Sequence, residues 1–519
     1  MNTHKILLKS RILMILVILS SCTKTLEINP QDQIDSGVAL TTRAGITASI
    51  TNIYSTLKGE AFYGNRFIGL GTALADDGQA TNKSGRYNNE YRNIRGAHYN
   101  HWTTAYVALN RINIVLAAIP GITDPSITEE DRTTWEGELK FLRALYHFDL
   151  VKAYAYIPGA IIEAANKGGV PILLEPINTA ESALNAETPR VHQTEVYTAI
   201  YHDLEDAITL LPNISSVAFA NRQAAQLLFS RVALYNKDFP KVIEMADAVI
   251  GSRGQTLLNE SNYMDGFTSA TNPESLFEVT YNLANEGLGV NVALQTLFTT
   301  LTARMPDERR DSTDVYAGRT AEGLKDERGG FGDLVPTGDL LNSLGITFEN
   351  NGSTDAVITS RSSDVRNLLF EVGASHRGNP YIECTKFIGK NGDVNWDNVS
   401  VLRIAEAYLN RAEAYAEAGP QQNTTLAIAD VNTIRTNRGL SDVSGLSGQA
   451  LIEEILLQRR LEFAFEGGHR FLDLKRRGMN INKPATGTTF NFDNVLLLPE
   501  IPVGDVDGSN GLIPQNDGY

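Results

Sequence analysis

Apolar residues recur along much of this chain at the three- and four-residue spacing of a helical face. Leu139, Leu142, Tyr146, Leu150 and Ala153 show it most clearly and predict a long amphipathic helix over residues 129–156. The same pattern predicts helices over 46–58, 102–119 and 194–211. Pro120-Gly121 closes the second of these and Pro212 the third, because proline cannot continue a helix. Residues 221–237 and 240–250 read as a helical hairpin turning at Lys237-Asp238-Phe239-Pro240. Pro240 falls in the first turn of the second helix, where a missing N–H costs nothing. A related hairpin spans 401–438 and turns at Gly419-Pro420. Arg231 and Tyr235 in one hairpin, and Arg411 and Tyr415 in the other, hold equivalent places before the turn. Alanines at 224, 225, 233, 246 and 248, and at 405, 407, 412, 414, 427 and 429, let the helices approach closely.

Such helix pairs resemble tetratricopeptide repeats. The predicted fold is therefore mainly α: a tetratricopeptide-like scaffold over 46–251 and 401–479, carrying a loop-rich ligand-binding subregion. That subregion, 252–400, is rich in Gly, Asn, Asp, Ser and Thr, with short strand-like pieces such as 276–281. Loops of that length are usually functional. Residues 480–519 read as an extended tail packing back on the scaffold.

Residues 452–478 are predicted to form a helix stopped at Gly467-Gly468 and a second, short one stopped at Gly478. Ile452, Leu456 and Phe463 share a stripe with Arg459, where an aliphatic residue is expected. Glu466 and Arg470 are four apart and could pair if the helix reached that far. Glu462, Glu466, His469 and Asp473 are ionisable but lack a nucleophile–base–orienter arrangement, so these charges are read as structural. Loss of a buried, paired Arg459 is expected to cost about 3–5 kcal/mol.

The ends and composition narrow the class. Lys5, Lys9 and Arg11 precede an apolar run at 12–19, too short to span a bilayer, which is the pattern of a secretory signal over 1–21. Leu19-Ser20-Ser21-Cys22 looks like a lipoprotein processing site, with Cys22 the lipidated residue and 22–45 a tether. The chain is 42% apolar and 20% charged, the balance of a globular protein. Its net charge of −16 repels phosphate backbones and argues against nucleic acid. Once Cys22 is lipidated only Cys384 remains, which excludes an intrachain disulfide.

No zinc helix, nucleophile elbow, phosphate loop or paired CxxC is present, and no catalytic residue, metal or cofactor is predicted. His98 and His101 lack a third ligand nearby. The alternating oxygen side chains of Asp393, Asn395 and Asp397, and of Asp505, Asp507 and Ser509, are read as solvated turns rather than calcium loops. Paired carboxylates such as Asp76-Asp77 can serve glycoside hydrolysis only at a defined separation. Binding has more support. Between Gly59 and Trp102, tyrosines mix with Asp, Asn and Arg, the residue types that stack on sugar faces and pair with hydroxyls. Tyr87 and Tyr91 are expected to be exposed by their polar neighbours, and Trp396 because nothing around it in sequence is apolar. Trp102 is assigned to the core. The ligand-binding set is Asp77, Arg86, Tyr87, Tyr91 and Trp396.

Residues 456–478, LLQRRLEFAFEGGHRFLDLKRRG, resemble the C-terminal signature of the SusD/RagB-like family of outer-membrane nutrient-binding lipoproteins. VLRIAEAYLNRAEAYAEAG at 401–419 resembles the helix preceding it. Blocks at 137–154, 195–212 and 222–239, and the ending IPQNDGY, continue the resemblance. It implies a lipid-anchored protein of the outer membrane facing the cell surface. It also implies a TonB-dependent, SusC-like transporter as partner and an oligosaccharide as ligand, bound by the loops after the first helix and by the long insertion. Other family members capture peptides, the alternative reading; a glycoside hydrolase lipoprotein is the third. An enclosed cavity at the transporter interface would favour peptides, and an exposed aromatic platform would favour glycans.

Overall fold

The computed structural model describes residues 40–281, 286–302, 330–389, 395–484 and 486–519. The signal segment, Cys22 and nearly all of the tether lie outside them, as does Asp393.

The predicted helices form, and α2, not assigned from the sequence, joins them: α1 (Arg43–Leu57), α2 (Arg66–Leu74), α3 (Trp102–Ala118), α4 (Glu129–Tyr154), α5 (Gln193–Leu210), α6 (Arg222–Tyr235), α7 (Phe239–Arg253), α8 (Ala405–Ala416), α9 (Thr424–Asn437), α10 (Gly448–Glu462) and α11 (His469–Arg476). Side-chain caps start several of them. Thr128 and Asp131 make a reciprocal capping box on α4, Asn221 accepts from Ala224 N–H on α6, and Asp238 caps α7 ahead of Pro240. α4 packs on α5, α6 on α7 and α8 on α9, while α7 also packs on α8. The two hairpins separated by the insertion therefore stack directly. Arg231 crosses that seam to Glu406 (Nε–Oε1 2.6 Å), and Arg411 reaches Asp247 on α7 (2.6 Å) and Asp430 on α9 (2.6 Å). The equivalent arginines seen in the sequence are the ties between repeats.

The short strands are β1 (Gly78–Ala80), β2 (Ser275–Val279), β3 (Leu334–Pro336), β4 (Ile346–Glu349), β5 (Val357–Arg361), β6 (Phe370–Val372), β7 (Ile382–Cys384), β8 (Val399–Arg403), β9 (Ile481–Lys483) and β10 (Thr488–Phe490). All pair antiparallel in twos. β1 joins β3 with Gly78 opposite Pro336, and β2 joins β8 with Val279 opposite Val399. The insertion is thus sewn to the loop after α2 near its middle, through β3, and its two ends are joined where β2 meets β8. Two helix boundaries differ from expectation. Residues 401–403 belong to β8 rather than a helix, because this Val/Leu-rich stretch is buried against β2. α10 ends at Glu462 rather than at Gly467. Phe465 takes a left-handed φ of 63°, and its ring meets Phe298 edge-on at 5.0 Å. The C-terminal segment lies against the scaffold. Asn516 donates to the Tyr154 and Pro499 carbonyls (3.0 and 2.8 Å), and Arg190 clamps Pro514 and Asn516.

A buried charge cluster holds the insertion, the second hairpin and the end of α10 together. Glu462 accepts from Arg403 (2.6 Å) and twice from Arg438 (2.9 Å each), with Arg366 at 3.6 Å. Arg403 and Arg438 share Glu274, Arg403 and Lys386 share Glu466, and Arg366 is paired with Asp364. Four cations face four anions, as buried charges require. Burial alone would raise the Glu462 carboxyl; Arg438 and Arg403 outweigh it and hold it well below the usual range. Glu466 therefore does not pair with Arg470, which instead grips Asp76 (2.7 and 2.8 Å).

Candidate functional site

The loop after α2, the segment 286–300, β3 with its lead-in, and the β6–β7 region converge on one face. Two buried carboxylates set their paths. Asp333 is fully buried and accepts from Ser84 N–H (3.2 Å), Ser84 Oγ (2.6 Å) and Arg86 Nε and Nη2 (2.9 and 2.5 Å). Arg86 also donates to the Asn291 carbonyl. Glu383, equally buried, accepts from Thr300 N–H (2.6 Å), the Thr299 and Thr300 hydroxyls (3.0 and 2.7 Å) and Lys83 Nζ (3.2 Å). Gly373 lies flat on this carboxylate: a Cβ there would come within 2.3 Å of Glu383 Cδ, so glycine is a spatial requirement.

Above these acids the surface is cationic. Phe331, half-buried, carries two guanidinium groups over its ring, Arg86 at 4.7 Å and Arg377 at 4.5 Å from the centroid. Lys83 Nζ stands 5.6 Å from the ring centre of Tyr381, also half-buried. Arg377 is exposed, with no acid against it among the described residues. Neither Phe331 nor Arg377 stood out in the sequence. Each lies alone in a loop-rich stretch, and only the fold makes them neighbours of Arg86.

Of the residues read from sequence, Arg86 is at this face. Tyr87 and Tyr91 are not exposed, contrary to expectation; each retains only about 5% of its surface. They lie four apart across a single helical turn, Asn88–Tyr91, so both rings point inward while Asn88 and Asn89 take the solvent side. Tyr87, at φ 61°, donates to Asn65 and fills the space beside Gly69; Tyr91 lies under Lys483, whose Nζ is 5.0 Å from the ring centre. The four-residue spacing was the available signal, masked by the polar letters between. Asp77 is buried against Arg460 (2.6 Å) rather than lining a surface. Burial raises its carboxyl despite Arg460, whereas Arg470 outweighs burial at Asp76 and lowers it. Those two pairs tie α10 and α11 to the loop before β1. Trp396 is half-buried and packs on the main core, so its polar neighbours in sequence did not predict its surroundings in space.

Burial lowers His98 to about 3 and His101 to about 4, so both are neutral near pH 7. Asp397 accepts from Gly389 N–H (2.8 Å). Among the described residues, no three His, Cys, Asp or Glu side chains gather closely enough to hold a metal.

Two family models match the chain: one described as the SusD family over residues 307–494, and one described as starch-binding associating with outer membrane over 26–234. A SusD-like protein, P38, of Formosa agariphila is 22% identical over 92% of this chain and 93% of its own length. A SusD-like protein of Bacteroides ovatus is 23% identical over 72% of this chain and 64% of its own. Among solved structures, a SusD superfamily protein of Bacteroides thetaiotaomicron superposes with a TM-score of 0.72 at 22% identity, covering 93% of this chain and all of that one. A laminarin binding SusD-like protein superposes with a TM-score of 0.65 at 21% identity, covering 92% of this chain and all of that one. Those structures share the tetratricopeptide-like helical scaffold built here from α4 to α11, and with both family models matched in order along its length the chain belongs to the SusD/RagB-like family.

Proposed function

We propose that this protein binds an oligosaccharide at the outer membrane and passes it to a TonB-dependent transporter, anchored through Cys22 and facing the cell surface. The observation that carries this reading is the loop face: Phe331 with Arg86 and Arg377 over its ring, and Tyr381 with Lys83 over its own, on loops pinned from beneath by Asp333 and Glu383. A shallow rim of this kind can hold sugar hydroxyls without enclosing the ligand. It lies on the insertion and the loop after α2, where the family resemblance puts ligand contacts. The laminarin-binding relative supports a glycan as ligand, and the family description supports the outer membrane as location. The role is binding rather than catalysis; Asp76 and Asp77, the carboxylates considered for hydrolysis, each face an arginine. Arg86 is proposed to touch the ligand. Asp77, Tyr87 and Tyr91 are proposed to shape the loop from below, and Trp396 to bound the face next to segment 286–297.

A glycan array probed with the full-length chain tests the reading, with binding to at least one oligosaccharide expected. Binding to peptides and to no glycan would replace it with peptide capture. Mild detergent extraction should bring a large β-barrel protein with it; extraction of the chain alone in several detergents would remove the transporter from the proposal.

A further inference from the structure

Two of the three cations on the loop face are already matched. Lys83 is held by Glu383 and Arg86 by Asp333, and both acids are shut off from solvent beneath them. Arg377 is the third. It is exposed, and among the described residues no hydrogen bond or acid is assigned to it. Its guanidinium lies over the same ring as that of Arg86, so the two like charges can be no farther apart than their two centroid distances, 4.5 and 4.7 Å, laid end to end. Like charges at such range repel, and an anion placed by them relieves the repulsion. The ring that a neutral sugar would use for stacking is occupied by these guanidinium groups, and Tyr87 and Tyr91 face inward. The chain as a whole is acidic at −16, so a cationic spot here runs against the average surface.

Resting on the glycan-binding reading, we infer that the ligand is an acidic glycan whose carboxylate or sulfate groups are held by Arg377 beside Arg86. A guanidinium offers two parallel N–H donors that match either oxyanion, a geometry an ammonium cannot reproduce. Arg86 is oriented by Asp333 and by the Asn291 carbonyl, which leaves its remaining N–H groups for the ligand.

Calorimetry on the full-length chain with three probes tests this: a polyuronate, a sulfated polysaccharide and neutral laminarin. An acidic probe should bind, and raising the salt should weaken it. Arg377→Ala should weaken that binding about 10- to 100-fold, with Arg377→Lys in between. Because Arg377 is exposed and, among the described residues, makes only its contact with the Phe331 ring, neither variant should move the melting temperature by more than about 1 °C; a distant cation, Lys241→Ala, serves as the control. Preference for the polyuronate or for the sulfated chain identifies the oxyanion. Laminarin binding as tight as either acidic probe, or acidic binding that Arg377→Ala leaves intact, overturns the inference while glycan binding stands. Binding of no probe, and of no glycan on the array, would sink the glycan reading itself.

Discussion

Glu462 and Arg459 stand three residues apart at the end of α10, and both are fully buried, yet their losses should differ several-fold. Both Glu462 oxygens are engaged, by Arg403 at 2.6 Å and by Arg438 at 2.9 Å twice, with Arg366 at 3.6 Å. Glu462→Gln keeps the shape but turns a balanced cluster of four cations and four anions into one with a cation to spare. It also sets an amide NH2 against guanidinium donors. Breaking a buried ionic cluster this way costs about 3–5 kcal/mol. Arg459 is different. Its main contact is Asn410 Oδ1 at 2.7 Å; its bond to Asp473 is long, 3.4 Å, and Asp473 keeps Arg476 at 2.7 Å when Arg459 is gone. Its Nη2 has no hydrogen-bond partner, so its burial is only partly compensated. Arg459→Met should cost about 1–2 kcal/mol, less than the sequence pattern alone implied. A melting entropy of about 2 cal/mol/K per residue sums to about 1 kcal/mol/K for a chain of this size, so each kcal/mol moves the midpoint by about 1 °C. Scanning calorimetry should find Glu462→Gln lower by about 3–5 °C and Arg459→Met by about 1–2 °C. Equal shifts, or a larger one for Arg459, would refute the idea that the Glu462 cluster carries the junction.

Lys483 donates to the Ala73 and Ala75 carbonyls at the end of α2 (2.6 Å each), and burial lowers it to about 7, against about 10.4 when unfolded. Between those values the unfolded chain binds the extra proton, so this group should make the fold more stable as pH rises from 7 to 10; Lys475 and Lys152 are lowered by burial too, so urea titrations should show a steeper slope in the parent than in Lys483→Met, and equal slopes would refute the assignment. Gly373→Ala should displace Glu383 from Thr299 and Thr300, lower stability by about 1–3 kcal/mol and weaken glycan binding together; an unchanged melt would mean the loop gives way freely. Cys22→Ala should abolish labelling by radioactive palmitate and release the protein from membranes, and persistent labelling would refute lipidation at that residue.

The scaffold was legible because helices announce themselves locally. A stripe at period 3.6, a capping Thr or Asp, and a proline after the last turn all fall within one window, and α1 and α3 to α9 follow from such signals; α2, buried almost all round and without a side-chain cap, shows none of them. The junction was not legible in the same way. Arg403 and Glu274 are 129 residues apart, and Arg438 and Glu274 are 164 apart, so no local pattern says which charge meets which. The 452–478 stretch indicated buried, paired charges but not their partners: the helix stops at Glu462, and Glu466 and Arg470 each pair with a residue from elsewhere in the chain. At the loop face the error ran the other way. Local polarity made Tyr87 and Tyr91 look exposed, whereas the turn they share decides their direction. Arg377 and Phe331 have no local signal at all.

The loop face separates two tasks that one residue usually combines. Asp333 and Glu383 decide where the loops run, and they do so from below, through backbone N–H groups, threonine and serine hydroxyls and the inner cations. The outward heads decide what the face meets. Arg377 touches the first task only through the Phe331 ring. Replacing it would change the surface charge by a full unit while leaving each bond to Asp333 and Glu383 in place. A face built this way separates the residues that hold its loops from the residue that sets its outward charge. On the acidic-glycan proposal, the buried acids set where the ligand sits, and the exposed Arg377 sets which ligand it is.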